Sequence, residues 1–330
     1  MKTLSVVLPT LNCAGSLPAH LESMAAWLDL ATEIVVVDSF SDDGTPELIS
    51  DRLQHPNLRI LSHPRGLYQS WNHAIAQTTG DWIYISTIGD TITRPHLEHL
   101  LTVGNSLGSD VVISPPTFTF EDHLKMKPPV WPIVRLLEFH RIEKPTEISP
   151  FAALYHGARV LPNAILGSSA SNLYRGDHLR PRPFATAFKS AGDAAWALQF
   201  SLETRFCFTP RQGSTFRFHS AHYVQQDPVE HAGWCQGMRE IVKQALEGFP
   251  LPPEWVEIGR LMAGMDPFEA EIKEANRQWH SIRRANRIPW YLKKHAWQHR
   301  AYRNSLIRQR QATAARLDEV VRTLPVRVLA

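Results

Sequence analysis

Asp38 ends a β-branched run, Glu33–Asp38 (EIVVVD), and opens the polar stretch Asp38-Ser39-Phe40-Ser41-Asp42-Asp43-Gly44-Thr45. A carboxylate at the tip of such a strand accepts hydrogen bonds from a ribose hydroxyl or a base N–H. A capped β-to-α turn is the other reading of the same residues, because Ser, Asp and Gly are ordinary turn formers. A calcium loop is excluded, since counting from Asp38 or Ser39 puts neither the glycine nor the closing glutamate at the required offset. Pro9-Thr10-Leu11-Asn12 follows the preceding apolar run and has no G-x-G-x-x-G, and the chain has no Walker A lysine motif. Nicotinamide-dependent and P-loop readings are therefore disfavoured.

These residues need strands to carry them. Ser5–Leu8 reads as a short strand ending at Pro9, and Leu17, Leu21, Met24 and Leu28 then repeat at helical spacing behind Ser16 as cap. The second strand is Glu33–Asp38, and Thr45-Pro46-Glu47 opens a helix with proline in its first turn. Leu58–Leu61, Trp82–Ile85 and Asp110–Ser114 read as further strands, with helices over Gln69–Gln77 and Arg94–Leu107. Strands alternating with helices predict an α/β protein with a doubly wound, mainly parallel, Rossmann-like sheet. Chemistry is then expected just beyond Leu8, Val37 and Ile85. From Pro115 to Pro162 the pattern dissolves, and this stretch holds 8 of the 24 prolines, so residues 115–165 read as an irregular excursion. A helix is expected over Ala191–Leu202, strand over Phe206–Phe218, and helix from about residue 225 to the end.

The 330 residues are 43% hydrophobic and 20% charged, which suits a globular protein of one large or two modest domains. The net charge of +3 hides an asymmetry: residues 277–330 carry 13 basic and 2 acidic side chains, +11, which leaves −8 for residues 1–276. No apolar run approaches the length of a membrane span, and no signal-peptide h-region is visible. Cys13, Cys207 and Cys235 form no C-x-x-C pair and no zinc spacing, so buried thiols and a cytoplasmic location are expected.

Four blocks together resemble the family 2 glycosyltransferases: Ser5–Asn12 (SVVLPTLN), Glu33–Thr45 (EIVVVDSFSDDGT), Gly66–Ile75 (GLYQSWNHAI) and Gly80–Asp90 (GDWIYISTIGD). The resemblance covers about the first 115 residues and resumes at Ala191–His219. It implies a GT-A fold that binds a nucleotide sugar, most often a uridine diphosphate sugar, and transfers the sugar with inversion. By position, Pro9, Thr10 and Asn12 would line the base and ribose, Asp38 would contact the nucleoside with Ser41 and Gly44 near it, and Asn72 would help hold the donor.

The same resemblance makes Asp90 and His219 ligands of a divalent cation, Mg2+ or Mn2+, and Asp193 the general base. The chain departs from the family at each. Ser86-Thr87-Ile88-Gly89-Asp90 keeps one carboxylate where members usually carry D-x-D or D-D, and Gly192 precedes Asp193 where an acidic residue is common. One carboxylate with phosphate oxygens and waters suffices for magnesium. The plainer readings are a helix cap for Asp90, a first-turn acidic residue for Asp193 and a structural role for His219 in Arg217-Phe218-His219. Gly167–Asn172 (GSSASN) falls where relatives build the acceptor face, and reads equally as a plain loop before a strand.

From Arg277 onwards basic residues interleave with Trp279, Trp290, Tyr291, Trp297 and Tyr302. That composition suits an anionic membrane surface, and less well a nucleic acid. Helices packed through Leu306, Leu317, Val320 and Leu324 are the plain alternative. The expectation is a catalytic domain over 1–225 and a basic helical region over 226–330. Its function would be transfer of a sugar to a saccharide or lipid-linked acceptor of a surface polysaccharide pathway. The rival is a catalytically weakened sugar-nucleotide or glycan-binding protein of the same fold.

Overall fold

The computed structural model describes residues 2–121, 127–218, 228–248, 256, 259, 267–284 and 294–329. Two compact units divide the chain: Met1–Ile241 with Pro325–Ala330, and Val242–Leu324.

The first unit begins as alternating strands and helices: β1 (Leu4–Thr10), α1 (Leu17–Ala25), β2 (Glu33–Asp38), α2 (Thr45–Arg52), β3 (Leu58–Ser62), α3 (Leu67–Ala76) and β4 (Trp82–Ile85). Strands β3, β2, β1 and β4 lie side by side and parallel, with Thr10 opposite Asp38 and Asp38 opposite Ser62. Every residue of β2 is buried, as are all of β1 but Pro9. A parallel strand covered on both faces calls for such continuous apolar runs rather than alternation. β5 (Thr91–Ile92), α4 (Arg94–Leu107) and β6 (Val111–Ile113) follow.

Then come β7 (Thr117–Phe120), α5 (Pro132–His140), β8 (Thr146–Ile148), α6 (Pro150–Arg159), β9 (Asn172–Arg175), α7 (Gly176–Leu179), α8 (Gly192–Gln199), β10 (Phe206–Phe208) and β11 (Ser214–Phe218). The unit ends with most of α9 (Pro228–Glu247) and, at the far end of the chain, β12 (Val326–Val328). The main sheet has nine strands in the order β12-β8-β10-β6-β9-β4-β1-β2-β3, and β5-β11-β7 form a second, small sheet. β9 runs antiparallel to β4 and β6, and β8 antiparallel to β10 and β12, so the sheet is parallel on the β1 side and mixed beyond it.

The proline-rich stretch is not irregular. Pro132 and Pro150 each stand in the first turn of a helix, where the missing N–H has no partner to lose and the fixed φ suits the helix. Proline density there marks helix starts as well as loops. Phe206–Phe218 is two strands in two sheets, because Pro210 has no N–H for the ladder and the chain turns before Ser214. Residues 326–328 are a strand on β8 rather than helix. Ser16 precedes α1 without a side-chain cap bond, its hydroxyl donating instead to the Cys13 carbonyl at 3.3 Å. Cys207 is buried, whereas Cys13 and Cys235 are only partly so.

In the second unit α10 (Pro267–Arg284) packs on α11 (Lys294–Arg322). The Tyr302 hydroxyl donates to Glu271 at 3.1 Å, and Ala275, Leu306, Leu317 and Val321 are buried. Val321 takes the inner position expected of Val320, while Trp297 and Tyr302 are exposed. Trp290 and Tyr291 lie outside the described residues. Among the described residues no helix is long and apolar enough to cross a membrane.

The core beneath the candidate site is sterically specified at α4. Trp82 is fully buried with its indole N–H on Asn105 at 2.9 Å, and a Cβ on Gly104 would fall 2.5 Å from its ring. We expect Gly104→Val to lower stability by roughly 1–3 kcal/mol through overpacking. Gly15→Ala, where a Cβ meets nothing within 4 Å, should stay within about 0.5 kcal/mol in the same urea titration.

Candidate functional site

The loops after β1 and β2 are laced together over the carboxyl ends of the strands. Thr10 Oγ1 donates to Asp38 Oδ1 at 2.9 Å, and Ser41 donates to the same carboxylate twice, from its hydroxyl at 2.6 Å and its N–H at 2.8 Å. The Asn12 N–H reaches Ser41 Oγ at 2.8 Å, and the Asp42 N–H returns to Asn12 Oδ1 at 3.0 Å. Asp43, which the sequence reading passed over, accepts from the Ala14 and Thr45 N–H groups and the Thr45 hydroxyl. Those hydrogen bonds hold its carboxyl below the usual range, the Thr45 hydroxyl foremost. Pro9 is half-buried in β1 beside Val37, and Gly44, at φ +88°, leads into α2. Asp38 closes the turn through Ser41, and among the described residues its Oδ2 accepts one hydrogen bond, from the Ser41 N–H.

After β4 the chain turns through Ser86–Asp90. Asp90 is buried, with the Arg217 N–H on Oδ1 and the Thr87 hydroxyl on Oδ2, both at 3.1 Å, and Ser169 also hydrogen-bonded to it. Burial pushes its pKa up to about 7, against the pull of those three hydrogen bonds. Thr93, not Asp90, stands at the cap of α4. The Arg217 contact brings the Arg217-Phe218 stretch to Asp90, while His219 lies outside the described residues.

Asp193 sits in the first turn of α8, half-buried, its Oδ1 accepting the Ala194 N–H at 2.8 Å. Desolvation raises its pKa, and hydrogen bonds from Ala194 and the Tyr68 hydroxyl partly oppose this. The charge of Asp193 in turn raises Tyr68 and Tyr174, both buried phenols whose dominant shift is desolvation. Gly192 explains its own departure from the resemblance: a Cβ there would meet the Ala185 carbonyl at 2.3 Å and the Tyr68 ring at 2.5 Å. An acidic side chain at 192 would displace the Tyr68 ring, whose hydroxyl donates to the Ser190 carbonyl at 3.4 Å.

Residues 167–174 run between the two carboxylates. Ser169 bonds Thr87 and Asp90, Ser171 Oγ meets Ser214 Oγ at 2.7 Å, and the Asn172 amide donates to the Tyr174 hydroxyl at 3.2 Å. Asn172 also accepts the Gly167 N–H at 3.0 Å, so the GSSASN stretch is an ordered bracket and not a loose loop. Asn72 is committed elsewhere: its amide donates to the Phe184 carbonyl at 2.9 Å and accepts the Phe184 N–H at 2.8 Å. The sequence reading did not single out Tyr68, Tyr174 or Ser169. Tyr68 stood inside the quoted GLYQSWN block, and only the fold reveals its partner.

Comparison with known proteins bears on the N-terminal part of the chain. Residues 5–159 match the family model for glycosyl transferase family 2. That stretch is a family 2 glycosyltransferase domain. It contains Pro9, Thr10, Asn12, Asp38, Ser41, Gly44, Asn72 and Asp90, and it stops short of Asp193 and His219.

A PGL/p-HBAD biosynthesis glycosyltransferase of Mycobacterium tuberculosis is 33% identical over 93 residues, 27% of this chain and 36% of that one. The succinoglycan biosynthesis protein ExoO of Rhizobium meliloti is 28% identical over 109 residues, 32% of this chain and 31% of that one. The chain thus spans about a third of the length of these curated relatives.

Among solved structures, Staphylococcus aureus TarS 1-349 in complex with UDP-GlcNAc superposes with a TM-score of 0.56 at 15% identity, covering 95% of this chain and 92% of that one. The mannosyltransferase PcManGT from Pyrobaculum calidifontis, in complex with GDP-Man and Mn2+, gives 0.54 at 17% identity, covering 97% and 87%. The fold is GT-A, as the sequence reading expected.

A carboxyl that holds its proton more tightly folded than unfolded costs no stability while both states are protonated, and the cost grows as the pH rises between the two pKa values. For Asp90 that window runs from 3.8 to about 7. We expect the melting temperature of the ligand-free protein to fall as pH rises through this window. In Asp90→Asn the fall should flatten by several degrees, at about 2–4 °C per kcal/mol, read by differential scanning fluorimetry.

Proposed function

We propose that this protein is an inverting glycosyltransferase that takes a sugar from a nucleoside diphosphate sugar, a UDP-sugar by preference, and places it on a saccharide or lipid-linked acceptor. One observation carries the proposal: Asp38, Asp90 and Asp193 are desolvated on elements that share one frame, and their hydrogen bonds come from hydroxyls and backbone amides. TarS and PcManGT, crystallised with UDP-GlcNAc and with GDP-Man, support a donor of this class on this fold.

In this reading Asp38 takes a ribose hydroxyl or base N–H on Oδ2, with Pro9, Thr10 and Asn12 lining the nucleoside, Ser41 and Gly44 shaping the turn, and Asn72 acting through Phe184. Asp90 is a hard oxygen donor and would be one ligand of a divalent cation; among the described residues no group of three His, Cys, Asp or Glu side chains stands together to hold one, so phosphate oxygens and waters would complete it. PcManGT, crystallised with Mn2+, supports the same assignment. When bound, Mg2+ or Mn2+ would neutralise charge on the leaving nucleoside diphosphate. The described residues contribute one carboxylate to it, and His219 is the second ligand we assign.

Asp193 takes the proton of the acceptor hydroxyl as that oxygen bonds to the anomeric carbon and the bond to the diphosphate breaks on the opposite face. A raised pKa makes it a stronger base near neutral pH than an ordinary carboxylate. The Tyr68 hydroxyl, which donates to the Ser190 carbonyl at 3.4 Å, lies close enough to favour the ionised form. We place the protein in the cytoplasm, the catalytic region being 1–225, with the basic 277–330 region meeting an anionic membrane surface where lipid-linked acceptors lie.

We expect Asp193→Asn to lower kcat by roughly 100- to 10,000-fold while leaving the affinity for UDP within a factor of about three, measured by transfer assay and calorimetry. Tyr68→Phe removes a hydroxyl that favours the ionised carboxylate, so the acid limb of the pH–rate profile should move to higher pH. Transfer that survives Asp193→Asn would favour a binding protein of the same fold and rule out this base.

A further inference from the structure

Phe40 is the second residue beyond the end of the strand that carries Asp38, and two features of it are unusual together. Its φ is +56°, a left-handed conformation that bulky residues rarely adopt, and its side chain is 65% exposed. The conformation is imposed from both sides. The Ser39 N–H is bound to the Thr10 carbonyl at 2.9 Å and the Ser39 hydroxyl to Ser70 at 3.0 Å, while Ser41 turns its N–H and hydroxyl back onto Asp38. Glycine would make this turn without strain and would expose no ring. Strain of this kind, at a position the surroundings over-determine, points to use of the side chain.

We propose that Phe40 is the nucleobase-stacking residue of the donor site, with Leu11 as the apolar residue facing it. The inference rests on the nucleoside-binding reading of Asp38. Leu11, 37% exposed, stands on the loop after β1, which Thr10, Asn12 and Asp42 tie to the Phe40 loop. An exposed aromatic ring two residues from a carboxylate asks for a ligand with a flat π-face and a hydroxyl or N–H donor nearby. A nucleoside has both, and base–aromatic stacking is tolerant of which base it carries. A sugar or diphosphate alone would leave the ring in water.

The test uses the full chain, with UDP and GDP as probes in the presence of Mg2+. By calorimetry we expect Phe40→Ala and Phe40→Gly to bind UDP roughly 10- to 100-fold more weakly than the native protein, and Phe40→Tyr to bind within a factor of about three. We also expect Phe40→Gly to raise the melting temperature of the ligand-free protein by relieving the positive φ. A purely structural role would move stability and affinity in the same direction, whereas stacking moves them apart. If Phe40→Gly binds UDP as tightly as the native protein, the inference falls and the glycosyltransferase reading stands. If the native protein binds neither diphosphate, both fall.

Discussion

A carboxylate taken out of water needs a cation or enough hydrogen bonds to replace its hydration, and the first unit of this protein meets that need in two ways at its two edges. At the start of β2, Glu33 is paired with Arg59, and just before β6, Asp110 is bound by Arg205 at 2.9 Å, with Arg175 at 3.7 Å. These pairs belong to the N-terminal edge of the parallel strands. At the opposite edge Asp38 and Asp90, and Asp193 on α8, receive hydroxyls and amides only. A guanidinium on any of the three would have been the simplest stabilising partner. Among the described residues none is found there.

The fold concentrates these groups through ordinary means. Parallel β1, β2 and β4 end together, so the loops that follow them open on one side of the sheet. The antiparallel strand β9 between β4 and β6 brings the 167–174 segment back across that side, where Ser169 meets Asp90 and Tyr174 feels Asp193. The hydroxyl-rich sequence of that segment is what lets a buried bracket satisfy its own polar groups while supporting Asp90.

Much of this was legible in the sequence, for physical reasons. EIVVVD and WIYI are strands because both faces are covered, and a carboxylate just past such a strand falls at the open end of the sheet. Asp38 and Asp90 follow directly. Long-range partners were not legible. Nothing local in GLYQSWN says that Tyr68 reaches Asp193 across 125 positions of sequence while Asn72 turns to Phe184. Pro132 and Pro150 misled because proline density signals a chain break and a helix start equally. The positive φ of Phe40 was hidden because its residue type argues against it. Gly192, read as a weakened motif, is the space that Tyr68 occupies.

The central claim is the proposed division of roles between two desolvated carboxylates, Asp90 beyond β4 for a cation and Asp193 in the first turn of α8 for an acceptor hydroxyl. The most direct measurement is the titration of both side-chain carboxyls by 13C NMR, without ligand and with saturating Mg2+ and UDP. The account expects both to titrate above the ordinary carboxylate range in the free protein, Asp90 near the value of about 7 set by its burial. With Mg2+ and UDP, Asp90 should fall below that range while Asp193 stays raised. An Asp90 whose titration is unchanged when UDP is bound would contradict it.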